Sequence, residues 1–117
     1  MKCQVLIAED EELLADMLRE IFEDHDCEVV SFATADAAYD YLQRTSHRLD
    51  LLFTDVKMPG EMTGLDLAYH ARRLQPGLRI VISSGYFEGP TQQLSQVTLL
   101  PKPWEVERLL QACELHR

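Results

Sequence analysis

The sequence predicts an α/β protein in which helices cover both faces of one parallel, five-stranded sheet. The first observation is size and composition: 117 residues, of which 46% are hydrophobic and 26% charged, are typical of one globular domain. The second is that short apolar runs of strand length alternate with segments of helical periodicity along the chain. Such alternation indicates a parallel sheet, and right-handed crossovers favour the doubly wound strand order 2-1-3-4-5 in a three-layer α/β/α sandwich.

The predicted strands are short apolar runs that cover residues 4–8, 28–32, 51–54, 79–83 and 97–100. The predicted helices cover residues 12–25, 35–44, 65–74 and 104–115, and residues 91–96 form at best a very short helix between strands four and five. Thr34 stands where its hydroxyl can cap the second helix.

Apolar stripes on the first and the closing helix predict which sides of these helices face the sheet. The stripe of the first helix consists of Leu13, Leu14, Met17, Leu18, Ile21 and Phe22. The stripe of the closing helix consists of Val106, Leu109, Leu110 and Cys113. Acidic residues crowd the first turn of the first helix, where they suit the positive end of the helix dipole.

The chain carries a net charge of −9, and most of the acidic excess lies near its start. Ten of its twenty acidic residues fall within residues 1–28, which contain Lys2 and Arg19 as their basic residues. This pattern argues against a nucleic-acid partner, because phosphate contacts need clustered Lys and Arg. The apolar runs fall far short of the ~20 residues of a membrane span, and no secretory signal is visible, so no membrane partner is expected.

The three cysteines indicate the compartment of the protein. Cys3, Cys27 and Cys113 are odd in number, widely spaced and without a CxxC motif. This favours reduced thiols that pack as small hydrophobic side chains, and therefore a cytoplasmic location.

Acidic side chains follow two neighbouring strands of the predicted sheet. Glu9 and Asp10 follow the first strand, and Asp55 follows the third. Because ligands of doubly wound sheets bind at the carboxyl ends of the strands where the order reverses, the three carboxylates are expected to converge. Like charges this close require a shared proton, a nearby cation or a metal, and hard oxygen ligands suit Mg²⁺.

A hydroxyl and an ammonium group are expected at the same edge, because Ser84 and Lys102 follow strands four and five. Together with three carboxylates they fit a phosphoryl group bound on one carboxylate, since phosphoryl transfer depends on positioning and charge neutralisation. Taken singly, each residue also has an ordinary explanation, as a first-turn acid, an Asx turn, a turn hydroxyl or a surface lysine. Their joint placement at the ends of four strands favours a functional site.

Five motifs, in order and with family-like spacing, carry a resemblance to a known family. They are Ile7-Ala8-Glu9-Asp10-Glu11, Thr54-Asp55-Val56-Lys57-Met58-Pro59-Gly60, Gly64-Leu65, Ser83-Ser84-Gly85-Tyr86 and Lys102-Pro103-Trp104. From about residue 3 to residue 115 the chain resembles the receiver domain of bacterial two-component response regulators. The resemblance implies a flavodoxin-like fold, with one receiver domain over residues 1–117 and no output domain.

The resemblance implies that Asp55 accepts a phosphoryl group from a phosphohistidine donor and becomes an aspartyl phosphate. It further implies that Asp55 and Asp10 bind Mg²⁺, Asp10 directly. Glu9 is then a second acid that often acts through a water molecule, and the backbone carbonyl of Lys57 is a further ligand.

The remaining implied roles concern Ser84, Lys102 and the partners. Ser84 resembles the hydroxyl that moves onto the phosphoryl group, and Lys102 the family's cation, with a cis bond to Pro103. The implied donor is a histidine kinase or a histidine phosphotransfer protein, and the output is control of a partner protein or onward transfer in a phosphorelay. The protein would assist its own phosphorylation and dephosphorylation, so turnover of a separate substrate is not expected. The sequence from Leu99 to Trp104 is also similar to receivers carried by hybrid histidine kinases.

The chain departs from the family's pattern at several positions. Glu9 stands where Asp is commoner, and Leu99 stands where many members carry an aromatic residue that turns inward on activation. Lys57 and Tyr86 flank the phosphoryl position in the family, which suggests the hypothesis of a long-lived phosphoryl group. Only 14 residues separate Ser84 from Leu99, so the fourth helix is expected to be short.

Three other classes of protein stay open at this stage. A flavin- or phosphate-binding module of the same fold would need a Ser/Thr/Gly-rich loop after the first strand, where the acidic run 9–12 stands. A hydrolase that forms an aspartyl phosphate would need an Asp at the position of Lys57. A pseudo-receiver, acting as a phosphorylation-independent interaction module, is favoured by Leu99 and the short fourth helix but opposed by the intact acidic, Ser84 and Lys102 motifs.

Overall fold

A parallel sheet of five strands runs through the centre of the protein, whose computed structural model describes residues 2–85 and 97–115. The strands are β1 (Cys3–Ala8), β2 (Cys27–Phe32), β3 (Leu51–Asp55), β4 (Arg79–Ser84) and β5 (Val97–Pro101). The helices in this part of the chain are α1 (Glu12–Glu23), α2 (Ala35–Arg44), α3 (Gly64–Leu74) and α4 (Val106–Ala112). The strand order β2-β1-β3-β4-β5 confirms the predicted topology.

The strand register determines which residues meet at the carboxyl edge of the sheet. The end of β1 lies beside Thr54 of β3, and Asp55, the last residue of β3, pairs with Ser83 of β4. Ser84 then ends β4 opposite Pro101, the last residue of β5. Because all these strands are parallel, the residues that follow β1, β3 and β5 leave the sheet at the same edge.

Alternate side chains of the sheet enter two separate apolar cores. Leu52 and Ile80 lie in the core on the side of α2 and α3, whereas Phe53 and Val81 lie in the core on the side of α1 and α4. The central strands are therefore buried on both faces, as their continuous apolar runs indicated. Each fully buried Leu, Ile or Phe stabilises the fold by about 1.5–3 kcal/mol, which holds the ends of the strands in place.

Capping side chains determine where α2 and α3 begin. The Thr34 hydroxyl accepts a hydrogen bond from the backbone N–H of Ala37 at 3.0 Å, which confirms the predicted cap. Thr63 and Asp66 form a capping box at the start of α3. This helix therefore begins at Gly64, one residue before the predicted start.

The first helix differs from its prediction at its end and on its apolar stripe. It ends at Glu23 rather than at residue 25, because the chain turns at Asp26, whose φ of 61° is left-handed. Phe22 is buried as predicted, but Leu13 and Met17 are 84% and 42% exposed. The sheet covers a narrower strip of the helix than the apolar stripe spans, so the outer apolar side chains face solvent.

The closing helix is shorter than the predicted range 104–115. Trp104 lies in the loop before the helix and packs into the core from there. Its apolar side chain fitted the helical spacing, which is why the predicted helix began too early. Leu109 and Cys113 are buried as predicted, whereas Val106, also expected to face inward, is 45% exposed.

Two predictions fall outside the described residues: the very short helix over 91–96 and the position of Tyr86. Within the ranges 2–85 and 97–115, no helix is long and apolar enough to cross a membrane. The three cysteines are free thiols, with Cys27 and Cys113 buried and Cys3 half-buried, in agreement with their predicted packing role.

Gly64 is the position at which α3 approaches the end of β3 most closely. A Cβ atom on Gly64 would overlap the carbonyl oxygen of Asp55 and lie 2.9 Å from Thr54 Oγ1. Because the Asp55 carbonyl belongs to the backbone of β3 and cannot move without displacing the strand, we expect Gly64→Ala to lower the free energy of unfolding by about 1–3 kcal/mol. The measurement is urea unfolding.

The matched control for this prediction is Gly77→Ala. Its added Cβ would have Arg48 Nη2 as its nearest described neighbour, at an ordinary contact distance of 3.8 Å. Equal stability of the two variants would contradict the importance of close packing at Gly64.

Candidate functional site

The carboxyl edge of the sheet brings together three acidic side chains. Glu9 and Asp10 directly follow β1, and Asp55 ends β3. One carboxylate oxygen from each residue lies within 4.8 Å of the other two. The topology therefore concentrates negative charge in one small pocket.

Glu9 is the buried member of this cluster, with 2% exposure. Its Oε2 accepts the backbone N–H of Glu11 at 2.9 Å, whereas its Oε1 has no hydrogen-bond donor among the described residues. Burial raises the pKa of the Glu9 carboxyl, and the charges of Asp55 and Asp10 add to this effect, against partial opposition from the Glu11 N–H and Lys102. A buried carboxylate oxygen without a donor is costly and therefore favours a cation beside it.

Lys102 brings a positive charge into the acidic cluster. Its Nζ donates a hydrogen bond to Asp55 Oδ2 at 2.8 Å and lies 3.8 Å from Glu9 Oε1. Burial alone lowers the pKa of the Lys102 ammonium, but the hydrogen bond and charge of Asp55, with the charge of Glu9, outweigh burial and raise it. The backbone N–H of Lys102 donates to the Ser84 carbonyl at 2.9 Å, and a cis peptide joins Lys102 to Pro103, as expected.

Asp55 is anchored and still partly accessible. Its Oδ1 accepts the backbone N–H of Val56 at 2.6 Å, its Oδ2 contacts Lys102, and its side chain keeps 14% exposure. The N–H of Gly64 donates to the Val56 carbonyl at 2.8 Å, which holds α3 against the loop after Asp55. A fixed, partly exposed carboxylate of this kind can act as a nucleophile.

Lys57 and Ser84 are the two remaining residues of the predicted site. Ser84 is nearly buried at the end of β4, whereas the Lys57 side chain is exposed in the loop two residues after Asp55. This loop is held from α2, because the N–H of Glu61 donates to Asp36 Oδ2 at 3.0 Å. The structure thus places the residues predicted from the sequence at one edge of the sheet: Glu9, Asp10, Asp55, Lys57, Ser84 and Lys102.

A contact between Ser83 and Trp104 was not predicted. The indole Nε1 of Trp104 donates a hydrogen bond to Ser83 Oγ at 3.0 Å, and Ser83 is fully buried. The signal in the sequence was the pair Ser83-Ser84, because two successive serines at the end of a buried strand put one hydroxyl toward the core. A buried hydroxyl needs a hydrogen-bond partner, but the sequence does not reveal which residue provides it.

The donor set of the acidic cluster fits a small divalent cation. Three carboxylates offer hard oxygen ligands close together, and one of the Glu9 oxygens lacks a donor in the described part of the chain. Mg²⁺ prefers such oxygens and keeps several waters, so one or two direct carboxylates suffice. A softer metal would use His or Cys ligands, which this cluster does not contain.

Comparison with known proteins shows the family. The family model described as the response regulator receiver domain matches residues 5–114, which is nearly the whole chain. The chain therefore belongs to the family of response regulator receiver domains, which act in two-component systems. This confirms the resemblance and agrees with the observed five-stranded fold.

Individual relatives support the same assignment. The chain is 34% identical over 83 residues to the response regulator receiver protein CpdR of Brucella abortus (strain 2308), covering 71% of this chain and 67% of CpdR. It is similar to the solved receiver domain of the hybrid histidine kinase CckA, with 26% identity, a TM-score of 0.81 and 95% coverage of both chains. A receiver protein from Sinorhizobium medicae WSM419 shares the fold, with 22% identity, a TM-score of 0.86 and coverage of 97% and 92%.

We expect Glu9→Gln to stabilise the metal-free protein at pH 7. The pKa of the Glu9 carboxyl is raised in the folded state, so the stability that its neutral form provides is present at low pH and lost as the pH rises through the raised pKa. Glutamine avoids the cost of ionisation. Thermal unfolding in EDTA should therefore give a melting temperature a few degrees higher at pH 7, with the difference shrinking toward about pH 4.

The control for this prediction is Glu12→Gln, which changes an exposed acid in the first turn of α1. Its melting temperature should not show the increase at pH 7 that becomes smaller at low pH. A Glu9→Gln variant that melts below the wild type at pH 7 would show that the Glu9 charge is favourable in the metal-free fold.

Proposed function

We propose that this receiver domain accepts a phosphoryl group on Asp55 and that the aspartyl phosphate changes its conformation. The observation that carries the proposal is the 2.8 Å contact of Lys102 with Asp55 inside a pocket shared with Glu9 and Asp10. A partly exposed carboxylate between an ammonium group and further acids has the parts that phosphoryl transfer needs.

In the proposed reaction, a carboxylate oxygen of Asp55 attacks the phosphorus of a phosphohistidine. A P–O bond forms and the P–N bond breaks, and the donor imidazole keeps the electron pair of the broken bond and takes up a proton. Lys102 orients Asp55 before the reaction and binds a phosphoryl oxygen after it, through a charge-assisted hydrogen bond. We assign the Ser84 hydroxyl a hydrogen bond to the same phosphoryl group.

We assign Mg²⁺ binding to Asp10, Asp55 and the backbone carbonyl of Lys57, with Glu9 as the second acid that acts through a water molecule. The bound ion would supply positive charge against the phosphoryl oxygens. The convergence of the three carboxylates and the Glu9 Oε1 atom without a donor in the described residues support this assignment.

We propose a histidine kinase or a histidine phosphotransfer protein as the donor. Leu14 and Met17 of α1 line an apolar groove of about 450 Å³ with Pro103, Trp104 and the stem of Lys102. Because this groove lies beside the Lys102 side chain that reaches Asp55, a donor helix packed there would bring its phosphohistidine to the site. The output is then control of a protein partner or onward transfer in a phosphorelay.

In this proposal the protein assists its own phosphorylation and dephosphorylation and turns over no separate substrate, and neither nucleic acid nor membrane is a partner. The cytoplasmic location and the long phosphoryl lifetime stay predictions. One observation favours the alternative of a phosphorylation-independent interaction module: Leu99, at the family's aromatic position, is 38% exposed.

Incubation with acetyl phosphate and Mg²⁺ should add one phosphoryl group to the wild type. Asp55→Asn should abolish the adduct, because an amide is a poor nucleophile and lacks the charge that Lys102 binds. The matched control Asp50→Asn changes an acid just before the other end of β3, where Asp50 accepts the Gln4 N–H at 2.7 Å, and should keep the adduct. Intact mass and phosphate-affinity gel mobility measure the result.

Two negative results together would contradict the proposal. They are an unmodified wild type with both acetyl phosphate and a phosphorylated histidine phosphotransfer protein, and no change of Trp104 fluorescence on addition of Mg²⁺. That combination would favour the interaction module.

Reversing the exposed acids Glu20, Glu23 and Asp24 to Lys should slow phosphotransfer from a protein donor that has a basic surface. We expect about a ten-fold slower transfer at low salt, and a smaller difference at high salt, because exposed charges act mainly on association. Phosphorylation by acetyl phosphate should be unchanged. Both rates, from the protein donor and from acetyl phosphate, are measured by stopping the reactions at set times and separating the products on gels.

The control for the charge reversal is a triple variant of Asp40, Glu61 and Glu107 to Lys, which changes the net charge equally at exposed positions outside α1. Equal slowing by both triple variants would show that net charge, and not the α1 surface, steers the donor.

A further inference from the structure

We propose that the hydrogen bond from Trp104 to Ser83 positions Lys102 for phosphoryl transfer, which makes Trp104 and Ser83 positioning residues of the site. The inference rests on the proposed roles of Asp55 and Lys102. The side chains of Ser83 and Trp104 bond to each other, and we assign their effect on the reaction to the position of Lys102, although Ser83 is also the β4 residue that pairs with Asp55.

Trp104 contacts two of the four strands whose ends form the site. Its Nε1 donates to Ser83 Oγ at 3.0 Å, and Ser83 on β4 is the register partner of Asp55 on β3. The Trp104 ring also packs edge-on against Phe53 of β3, with centroids 6.4 Å apart and an interplanar angle of 82°. One side chain therefore connects the loop after Lys102 to β3 and β4, next to the reacting carboxylate.

Lys102 lies between two anchors on the same strand. On one side, its backbone N–H donates to the Ser84 carbonyl at 2.9 Å. On the other side, two residues further on, Trp104 is bound to Ser83. Because consecutive residues of β4 hold both ends of the segment, the Lys102 backbone has a defined position from which its side chain reaches Asp55.

The hydrogen bond, and not only the ring, is needed for this anchoring. A phenylalanine at position 104 would still pack against Phe53, but it would leave the buried Ser83 hydroxyl without its donor. Losing one neutral hydrogen bond changes an equilibrium or a rate by about three- to ten-fold. Trp104→Phe and Ser83→Ala remove the same bond from opposite ends, so they form a double-mutant cycle.

The chain contains a single tryptophan, so an analogue of tryptophan can be placed at residue 104 alone. Replacing tryptophan with benzothienylalanine during expression changes one atom group, N–H to S, at residue 104 alone. The ring size and its packing against Phe53 are retained, so this variant isolates the hydrogen bond.

Two measurements separate positioning of Lys102 from general damage to the fold. The first is the rate of phosphorylation by acetyl phosphate, which should fall about three- to ten-fold in Ser83→Ala, in Trp104→Phe and in the benzothienyl variant. The second is Mg²⁺ affinity by calorimetry. Lys102 occupies Asp55 Oδ2, so a less fixed Lys102 competes less with the ion, and affinity should stay equal or increase.

The double variant of Ser83→Ala and Trp104→Phe should be no slower than the slower single variant, because both changes remove one bond. Ser31→Ala, in β2 at the far edge of the sheet, is the matched control and should leave both measurements unchanged. Wild-type rates in Ser83→Ala, additive losses in the double variant, or Mg²⁺ affinity that falls in parallel with the rate would each overturn the inference.

Failure of the proposed function is distinguishable from failure of this inference. If the wild type accepts no phosphoryl group, the proposed function fails, and crystal structures of the wild type and Ser83→Ala decide the inference. Displacement of Lys102 Nζ from Asp55 in Ser83→Ala supports positioning by the Trp104 bond. A Lys102 that keeps the 2.8 Å contact in Ser83→Ala overturns it.

Discussion

The ion pair between Lys102 and Asp55 is the interaction on which the organisation of the site depends. Three carboxylates within 4.8 Å repel each other, and two unit charges 4 Å apart interact by about 4 kcal/mol at an effective dielectric constant of 20. The ammonium of Lys102, 47 residues from Asp55 in the sequence, offsets part of this repulsion. Lys102 does not hydrogen-bond Glu9, whose Oε1 is 3.8 Å from the ammonium, and burial keeps the pKa of the Glu9 carboxyl raised. The excess negative charge of the metal-free site therefore favours the binding of a further cation.

The sheet makes this arrangement possible because it fixes the ends of four strands relative to each other. Burial on both faces leaves the central strands little freedom, and Gly64 allows α3 to close against the Asp55 backbone. The loop after Asp55 is also held from α2, through Asp36 and the Glu61 N–H. Rigid apolar packing thus supports a polar site whose charged groups would otherwise separate.

The segment from Leu99 to Trp104 has an aliphatic residue at position 99 and a tryptophan at position 104. Leu99 is an exposed aliphatic residue, so no aromatic ring at this position can turn inward. Trp104, in contrast, touches the core through Phe53, the strand end through Ser83, and the apolar groove beside α1. Trp104 therefore lies between that groove and two of the strands around Asp55, and Lys102, which also lines the groove, contacts Asp55 directly.

The sequence by itself determined the fold class, the strand order and five of the candidate site residues, and the family resemblance added Lys57. Strand and helix periodicities are local properties, and in a parallel sheet the residues after each strand must meet at one edge. The Thr34 cap could be predicted for the same reason, since it depends on residues three positions apart. Only the tertiary structure decided that Leu13, Met17 and Val106 face solvent, because this depends on how much of each helix the sheet covers.

The tertiary structure also decided the electrostatics of the site. The sequence shows that Glu9 is an acid near two others, but not that it is buried with one oxygen lacking a donor in the described residues. Likewise, Ser83 and Trp104 are 21 residues apart, and their hydrogen bond depends on β4 and the loop after β5 lying side by side. Burial and long-range pairing are properties of the packed fold. They arise only when the helices and strands are assembled, so a pattern along the sequence does not show them.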